Sequence, residues 1–215
     1  MNSPMEYVLR KPAEEESQKT YPVIFAMHGM GSNEQDMLSL LSGLEDHFYI
    51  FSIRGPLQQP PGFAFFTIEG FGKPHRDTFD TVIGKLTDFI DYAVDEYPID
   101  RSRVYLLGFS QGAILAKSIG LKLGEKIRGI AALSGYIPEF VKDENSSASV
   151  KQTSLFISHG QMDPVLPFEW GLASNKYFSN LGAQVTFKEY QVAHGVSEQN
   201  YHDVREWLLD SIEKN

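Results

Sequence analysis

A serine flanked by glycines is the clearest candidate for chemistry in this chain. Ser110 lies in the segment Gly108-Phe109-Ser110-Gln111-Gly112, after the apolar run Val104–Leu107 and before a helix-forming stretch that starts at Ala113. A sharp strand-to-helix turn needs small residues around the serine, and it exposes the hydroxyl at a helix N-terminus, where peptide dipoles favour developing negative charge. This context predicts a nucleophile. A purely structural turn is the alternative.

A serine hydroxyl is a weak nucleophile at neutral pH, so it needs a base that a carboxylate orients. In enzymes with such a serine turn, the order along the chain is serine, acid, histidine. His194 suits the base, because it lies in a loop with small neighbours between the last predicted strand and the last predicted helix. A loop histidine without catalytic role is the alternative. His159 ends a strand and suits a turn or packing role, whereas His202 falls inside the last helical pattern.

Asp163 is the candidate for the orienting acid. It follows the apolar run Leu155–Ser158, at the side of a parallel sheet where strand C-termini build sites. A turn aspartate before Pro164 is the alternative. Three other acidic residues have no strand end before them, because they lie in a polar segment or in the last helix: Asp143, Asp203 and Asp210.

Acyl chemistry at a serine also requires donors for the negative oxygen of the intermediate. The backbone N–H of Gln111, next to the serine, is one predicted donor. The second is the N–H of Met30, in the loop His28–Asn33 that directly follows the run Val23–Met27. The glycines on either side of Met30 allow the backbone to turn that N–H inward.

Two residues of the same loop have explanations that involve no catalysis. Ser32 and Gln35 stand at the spacing of a capping box that opens a helix. His28 precedes Ser110 in the chain, so we expect a hydrogen-bonding scaffold role for its ring, with a catalytic role as the alternative.

Metal and phosphate chemistry are less well supported. Four residues near predicted strand ends have side chains that bind zinc: His28, His159, Asp163 and His194. The chain has no H-E-x-x-H or similar short ligand pair, so no metal site is predicted. The segment Gly29–Gly31 is not followed by the lysine and serine or threonine of a phosphate-binding loop, so no nucleotide site is predicted either.

An aromatic segment without a clear helix or strand pattern, Pro56–Asp77, offers a wall for a substrate cleft. It contains three further prolines and four phenylalanines that we predict to line the acyl pocket: Phe63, Phe65, Phe66 and Phe71. Long ordered loops often carry function. The alternative is a loop that packs over its own apolar cluster.

The elements that must position these residues follow an alternating pattern. Six short apolar runs predict buried strands of a mostly parallel sheet: Val23–Met27, Tyr49–Ile53, Val104–Leu107, Gly129–Leu133, Leu155–Ser158 and Val185–Tyr190. Apolar residues recur at helical spacing over Phe79–Val94 and again over Tyr201–Ile212. Alternating strands and helices predict a three-layer α/β sandwich. No repeat or linker interrupts the chain, which predicts one domain over residues 1–215, with Pro138–Gln152 as a polar, exposed excursion.

Composition excludes several classes of protein. The chain has 215 residues, no cysteine and a formal net charge of −9, which gives no general attraction to nucleic acid or anionic lipid. Without cysteine it forms no disulfide, thiolate zinc site or cysteine nucleophile. No apolar run approaches the length of a membrane span, and the segment that starts at Met1 lacks the pattern of a secretory leader, so we expect a cytoplasmic location.

Together, five motifs resemble the phospholipase/carboxylesterase family of small α/β-hydrolases, which includes acyl-protein thioesterases and bacterial carboxylesterases. They stand in the family's order over residues 20–215: His28-Gly29-Met30-Gly31, Gly108-Phe109-Ser110-Gln111-Gly112, Ser134-Gly135-Tyr136, His159 through Val165, and Ala193-His194-Gly195-Val196. The resemblance implies an α/β-hydrolase fold without a large cap domain, and no cofactor.

The resemblance also implies roles for individual residues: Ser110 as nucleophile, Asp163 as acid, His194 as base, and the N–H groups of Met30 and Gln111 as oxyanion hole. Three positions depart from many acyl-protein thioesterases, namely Ser32 in place of aspartate, Ala113 in place of glycine and Tyr136 in place of tryptophan.

We therefore predict a serine carboxylesterase that hydrolyses small to medium acyl esters or thioesters through an acyl-enzyme. A lysophospholipase or an acyl-protein thioesterase is the alternative within enzymes, and a catalytically silent hydrolase fold used for binding is the alternative outside them. The sequence leaves the oligomeric state open, with a homodimer as one option.

Overall fold

Residues 3–213, which the computed structural model describes, form eleven strands and six α-helices. The strands are β1 (Tyr7–Arg10), β2 (Tyr21–Met27), β3 (Tyr49–Ile53), β4 (Leu57–Gln59), β5 (Gly62–Ala64), β6 (Ile68–Gly70), β7 (Lys73–Pro74), β8 (Ile99–Phe109), β9 (Gly129–Leu133), β10 (Ser154–Gly160) and β11 (Gln184–Tyr190). The helices are α1 (Glu34–Leu40), α2 (Arg76–Glu96), α3 (Gln111–Leu123), α4 (Glu139–Glu144), α5 (Phe168–Asn180) and α6 (Glu198–Glu213).

Seven of the strands form the central sheet, in the order β1-β3-β2-β8-β9-β10-β11. All neighbouring pairs are parallel except β1 with β3. The chain passes from β2 to β3 on one side and then crosses back to β8 on the other side of β2, so the strand order reverses between β2 and β8. Ligands of open α/β sheets bind at the carboxyl ends of the strands at such a reversal.

Helices cover both faces of this sheet. Successive side chains of a strand point to opposite faces, so each strand contributes to two separate cores. On one face, Val23 and Phe25 of β2 belong to an apolar core that includes side chains of α2, α3 and α5. On the other face, Ile24 and Ala26 belong to a second core with side chains of α1 and α6. The predicted three-layer sandwich with a mostly parallel sheet is confirmed, and no large cap is present among the described residues. That the whole chain forms one domain stays a prediction.

Each of the six predicted strands coincides with a strand of the sheet, and both predicted helices are present. The runs Tyr49–Ile53 and Gly129–Leu133 match β3 and β9 to the residue. The others are extended at their ends, most of all β8, which begins five residues earlier with the partly exposed segment at residues 99–103. The sequence did not predict β1, whose four residues pair along only one edge, with three of them partly buried and Arg10 exposed.

The aromatic segment is more regular than predicted. It contains two short hairpins, β4 with β5 and β6 with β7, and its last residues already belong to α2, which starts at Arg76. Phe63 of β5 exchanges two backbone hydrogen bonds of 2.8 Å with the loop after β2, accepting from Gly31 N–H and donating to the carbonyl of Ser32. These bonds fasten the first hairpin beside the predicted oxyanion loop.

The capping-box prediction was wrong by one residue. Helix α1 begins at Glu34 with Asn33 as its N-cap, whose side-chain oxygen accepts the N–H of Gln35 at 2.8 Å. Ser32 instead donates its hydroxyl to the carboxylate of Asp36. An asparagine caps a helix as well as a serine does, so the pattern alone did not distinguish the two positions.

The segment predicted as a polar excursion contains the short helix α4. Its acidic residues Asp143 and Glu144 are exposed as expected, whereas Val141 and Val150 are buried and anchor it to the core. No helix within residues 3–213 is both long enough and apolar enough to span a membrane. We predicted that the segment starting at Met1 is not a secretory leader, and Met1 itself lies outside the described residues.

Candidate active site

Ser110 lies in the tight turn between β8 and α3. Its backbone angles, φ 53° and ψ −113°, are strained for a residue with a side chain. The turn can form because glycines stand two residues before and two residues after Ser110. A Cβ on Gly112 would collide with the carbonyl oxygen of Met27 in β2, and a Cβ on Gly108 would collide with the backbone of Gly112. Strained non-glycine residues of this kind cluster at functional sites.

The structure brings together the three residues that the sequence predicted as a triad. His194 Nε2 lies 2.9 Å from Ser110 Oγ, and His194 Nδ1 lies 2.7 Å from Asp163 Oδ2. An ionised carboxylate can only accept, so Nδ1 carries the hydrogen and Nε2 is free to accept the serine proton. His194 is partly exposed, whereas the carboxylate of Asp163 has no exposed surface.

The environment of Asp163 keeps its carboxyl ionised. Burial alone would raise the pKa of this carboxyl. The hydrogen bonds from His194 and from the backbone N–H groups of Leu166 and Val165 outweigh burial, so the pKa of Asp163 lies below its ordinary value. The two N–H groups reach Oδ1 at 2.9 and 2.8 Å, which leaves Oδ2 to face His194.

Sheet topology explains why these residues meet. Ser110 follows β8, Asp163 follows β10 and His194 follows β11, so all three come from carboxyl ends of parallel strands. Those ends lie along one edge of a parallel sheet. Residues separated by 53 and 31 positions in the chain therefore converge on a single site.

Met30 and Gln111, the predicted oxyanion donors, both lie beside Ser110 in the lining of one cavity. The N–H groups of Gly31 and Ser32 are already bonded, to the carbonyl oxygens of Phe63 and Gly29. Gln111 is the first residue of α3, where N–H groups have no acceptor within the helix. The arrangement suits the prediction that the N–H groups of Met30 and Gln111 point at the reacting oxygen.

The side chain of Gln111 has a function that the sequence did not suggest. Its Oε1 accepts the N–H of Phe65 at 2.6 Å, and its Nε2 donates to the carbonyl of Phe66 at 2.8 Å. Both bonds are buried, so one side chain ties the aromatic segment to the turn that carries Ser110. The sequence could not show this contact because its partners are backbone atoms about 45 residues away.

The other histidines have the non-catalytic surroundings that were expected. His28 is fully buried and accepts the N–H of Gly55 through Nε2 at 2.9 Å, while Nδ1 lies 2.7 Å from the carbonyl oxygen of Gly29. Burial lowers the pKa of His28 despite that carbonyl, so the ring is a neutral scaffold between two loops. His159 is buried at the end of β10, and His202 is exposed on α6, 3.9 Å from Glu198.

A cavity of about 940 Å³ opens in front of Ser110 and His194. Much of its apolar wall comes from the aromatic segment, α1, α6 and the loops after β9, β10 and β11: Met37, Leu40, Phe66, Ile68, Phe71, Tyr136, Val165, Leu166, Val196 and Tyr201. Two carboxylates, Asp36 and Glu198, also belong to the lining, which contains no lysine or arginine of the described chain. The helix residues were not predicted, since helix faces cannot be assigned to a cavity before their packing is known.

The prediction that four phenylalanines line this cavity holds for two of them. Phe66 and Phe71 are lining residues, but Phe63 and Phe65 are not. Phe63 lies under the guanidinium of Arg54, 4.7 Å from the ring centroid, and Phe65 packs on the ring of His28 at 4.7 Å. The four residues belong to different local structures, because Phe63 lies in β5, Phe65 and Phe66 lie in the bend after it, and Phe71 lies in the turn between β6 and β7. Their side chains therefore do not share one direction.

No three histidine, aspartate or glutamate side chains within residues 3–213 are grouped closely enough to hold a metal ion. Comparison with known proteins shows which family the chain belongs to. A family model described as phospholipase/carboxylesterase matches residues 11–212. The chain belongs to the phospholipase/carboxylesterase family. The resemblance stated from the motifs is thereby confirmed, as is the prediction of an enzyme that hydrolyses carboxylic esters.

Individual relatives agree with membership of the phospholipase/carboxylesterase family. Acyl-protein thioesterase 1 of Candida albicans is 30% identical over 228 aligned positions, covering 96% of this chain and 98% of the relative. A putative hydrolase of Bacillus subtilis, MhqD, is 26% identical over 88% of this chain and 94% of its own length. The Bacillus cereus carboxylesterase structure superposes with a TM-score of 0.84, 23% identity and coverage of 98% and 96%, which establishes the shared fold.

Proposed function

We propose that this chain is a serine carboxylesterase that hydrolyses small to medium acyl esters through an acyl-enzyme. The observation that carries the proposal is the hydrogen-bonded series Ser110, His194 and Asp163, which opens into a largely apolar cavity. A strained serine turn, a partly exposed imidazole and a buried carboxylate are the parts that nucleophilic acyl transfer needs.

In the first half of the proposed reaction, Ser110 Oγ attacks the carbonyl carbon of the ester while His194 Nε2 takes the hydroxyl proton. Asp163 stabilises the resulting imidazolium through the bond to Nδ1. The carbonyl π electrons move onto oxygen, and the N–H groups of Met30 and Gln111 donate to that oxyanion. Collapse of the tetrahedral intermediate breaks the bond to the alcohol, which leaves with the proton from Nε2.

In the second half, water takes the place of the alcohol. His194 Nε2 removes a proton from water as the oxygen attacks the acyl-serine carbonyl. The second tetrahedral intermediate uses the same two N–H donors. Its collapse releases the carboxylic acid, and the proton returns from Nε2 to Ser110 Oγ. The cycle needs no cofactor or metal ion.

Neutral substrates suit this cavity best. Its wall is mainly apolar, and the two carboxylates of its lining, Asp36 and Glu198, are exposed. Acidic side chains repel anions, and the net charge of −9 acts in the same direction at longer range. An ester with an apolar acyl group and an uncharged alcohol is therefore the proposed substrate class.

A lysophospholipase or an acyl-protein thioesterase is the second candidate. Two observations favour it: the relative from Candida albicans bears the name acyl-protein thioesterase 1, and 940 Å³ is near the upper end of the usual size of ligand pockets. Ser32, Ala113 and Tyr136, which depart from many acyl-protein thioesterases, argue against a role in removing acyl groups from proteins. A homodimer and a cytoplasmic location stay predictions.

A stopped-flow assay with p-nitrophenyl esters of short to long acyl chains, and with matching thioesters, tests the proposal. We expect a burst of p-nitrophenol followed by steady turnover, an optimum at short to medium chains, and no burst with Ser110→Ala. An optimum at long chains or a strong thioester preference would favour the second candidate. Absence of serine-dependent turnover on every substrate would favour a catalytically silent binding protein instead.

A further inference from the structure

The carboxylate of Asp163 has two histidine neighbours. His194 Nδ1 reaches Oδ2 at 2.7 Å, and His159 Nε2 lies 3.5 Å from the same oxygen. The side chains of Asp163 and His159 have no exposed surface. The catalytic mechanism proposed above uses only the first histidine, so the second contact is unexplained.

Hydrogen bonding fixes the orientation of the His159 ring. Its Nε2 lies 2.9 Å from the carbonyl oxygen of Leu166, and a carbonyl can only accept, so Nε2 carries the hydrogen. Its Nδ1 is buried without a hydrogen-bond partner among residues 3–213. Gly171 of α5 packs directly against this face of the ring, and a Cβ there would come within 2.7 Å of Nδ1. The ring is thereby held with its Nε2–H edge towards Asp163 and Leu166.

Leu166 connects the two side chains. Its N–H donates to Asp163 Oδ1 at 2.9 Å, while its carbonyl accepts from His159. The turn that follows β10 is therefore held at both backbone polar groups of Leu166. The carboxylate of Asp163 binds the N–H, and the ring of His159 binds the carbonyl oxygen. The Nε2–H dipole also lies beside Oδ2, which disfavours rotation of the carboxylate away from His194.

We propose that His159 is a positioning residue that holds the carboxylate of Asp163 in register with His194. This inference rests on the proposed function, because it assumes that Asp163 orients the catalytic base. His159 is not among the residues that line the cavity, so its effect on the reaction passes through Asp163 and the turn at Leu166.

Positioning requires a neutral ring, and the surroundings keep it neutral. Three ionisable side chains influence it electrostatically: Asp163, His194 and Lys117. Burial lowers the pKa of His159, and Lys117 and His194 lower it further, against the opposing effects of the Leu166 carbonyl and Asp163. A positive charge 3.5 Å from Oδ2 would compete with the imidazolium that forms on His194 during the reaction.

Two substitutions of similar polarity distinguish positioning from simple packing. In His159→Gln the amide nitrogen can occupy the place of Nε2 and donate to Leu166, whereas in His159→Asn the shorter amide reaches only the place of Nδ1. We expect kcat of His159→Gln to stay within about threefold of the wild type. We expect kcat of His159→Asn to fall about tenfold to a hundredfold with little change in KM, since small displacements of catalytic groups have effects of that size.

The same pair in an Asp163→Ala background identifies the route of the effect. If His159 acts through Asp163, His159→Asn changes the residual kcat by less than about twofold once the carboxylate is absent, because coupled residues are non-additive. An equal fall of kcat in both backgrounds, or equal values for His159→Gln and His159→Asn, would overturn the inference. Thermal unfolding confirms that the compared variants are folded. Wild-type turnover that fails with Ser110→Ala establishes the proposed function independently, so the two failures are distinguishable.

Discussion

Three histidines of this chain show how surroundings assign different functions to one side chain. His28 has backbone partners at both ring nitrogens and is fully buried, which makes it a scaffold. His159 has a carbonyl partner and a carboxylate neighbour, also without exposure. His194 alone combines a carboxylate on one nitrogen with a serine hydroxyl on the other and with partial exposure to the cavity. Only the last arrangement can pass a proton to and from a substrate.

The roles proposed for Ser110, His194 and Asp163 predict unequal losses of activity. Removing the nucleophile or the base, by Ser110→Ala or His194→Ala, should lower kcat about 10⁶-fold. Asp163→Asn should lower it about 10⁴-fold, because the imidazole loses its correct tautomer but the oxyanion donors remain. Steady-state hydrolysis of a p-nitrophenyl ester measures all three.

The matched control for these variants is Ser197→Ala, which removes a hydroxyl of the cavity lining that accepts the N–H of Asn200 and is not hydrogen-bonded to the side chains of Ser110, His194 or Asp163. We expect kcat of that variant within about threefold of the wild type. Near-normal turnover of a pure Ser110→Ala preparation, or a loss with Ser197→Ala as large as with Ser110→Ala, contradicts the assignment.

The sequence identified the strands and helices whose positions depend on local pattern. The buried strands β2, β3 and β9 are nearly continuous apolar runs, so their positions were evident. Strand β1 was missed because three partly buried residues and the exposed Arg10 at a sheet edge form no such run. The hairpins of the aromatic segment were missed because three-residue strands between prolines and glycines resemble irregular loop.

The link between the aromatic segment and α3 predicts a loss of stability. Gln111→Leu removes the bonds to Phe65 N–H and the Phe66 carbonyl and leaves both groups buried, which should lower the free energy of unfolding by about 2–4 kcal/mol. Gln58→Leu, an exposed position on β4 of the same segment, is the matched control and should stay within about 0.5 kcal/mol. Urea unfolding measures both. Equal values for the two variants would contradict the link.

Two phenylalanines of the aromatic segment should affect different properties: Phe71 the substrate preference, and Phe65 the stability of the fold. Phe71 lines the cavity and is 60% exposed, so Phe71→Ala should shift the preferred acyl length with little loss of stability. Phe65 is 1% exposed and lies outside the lining, so Phe65→Ala should destabilise the protein by about 3–5 kcal/mol and leave the preference unchanged. The ratio of kcat/KM for short and long esters, measured beside urea unfolding, tests this. A changed ratio in Phe65→Ala alone would reverse the assignment.

For the whole molecule, the sequence predicted where the chemistry lies but not the shape of the cavity. Ser110, Asp163 and His194 each follow a recognisable strand, and parallel strands bring their carboxyl ends together. Met37 and Tyr201 reach the cavity from helices far apart in the chain, and Phe65 turns away from it. Those placements depend on packing between layers, which no local pattern encodes.

The interior also contains a buried lysine side chain. Lys117 of α3 is fully buried, its Nζ lies 3.2 Å from Ser174 Oγ, and burial lowers its pKa to about 7. An unfolded lysine binds its proton up to about pH 10.4, so folding is opposed by proton release or by a buried cation. This destabilisation is fully present below about pH 7 and fades as the pH rises towards 10.

Lys117→Met should therefore raise the free energy of unfolding at pH 7, by up to about 5 kcal/mol. Ser174 keeps its own bond to the Trp170 carbonyl in the variant. The difference from the wild type should shrink as the pH rises from 7 to 10. Urea unfolding at several pH values measures it, with Lys122→Met on the same helix as the control. A difference that is absent at pH 7, or that grows with pH, would show that the buried lysine does not oppose folding.

Covalent labelling shows whether Ser110 is the nucleophile without any assumption about the substrate. The folded protein is incubated with a fluorophosphonate, and the modified peptide is identified by mass spectrometry, with Ser110→Ala and His194→Ala treated in parallel. We predict one adduct, on Ser110, that is absent from Ser110→Ala and forms far more slowly in His194→Ala. An adduct on another residue of the wild type, or none at all in folded protein, would contradict the role of Ser110.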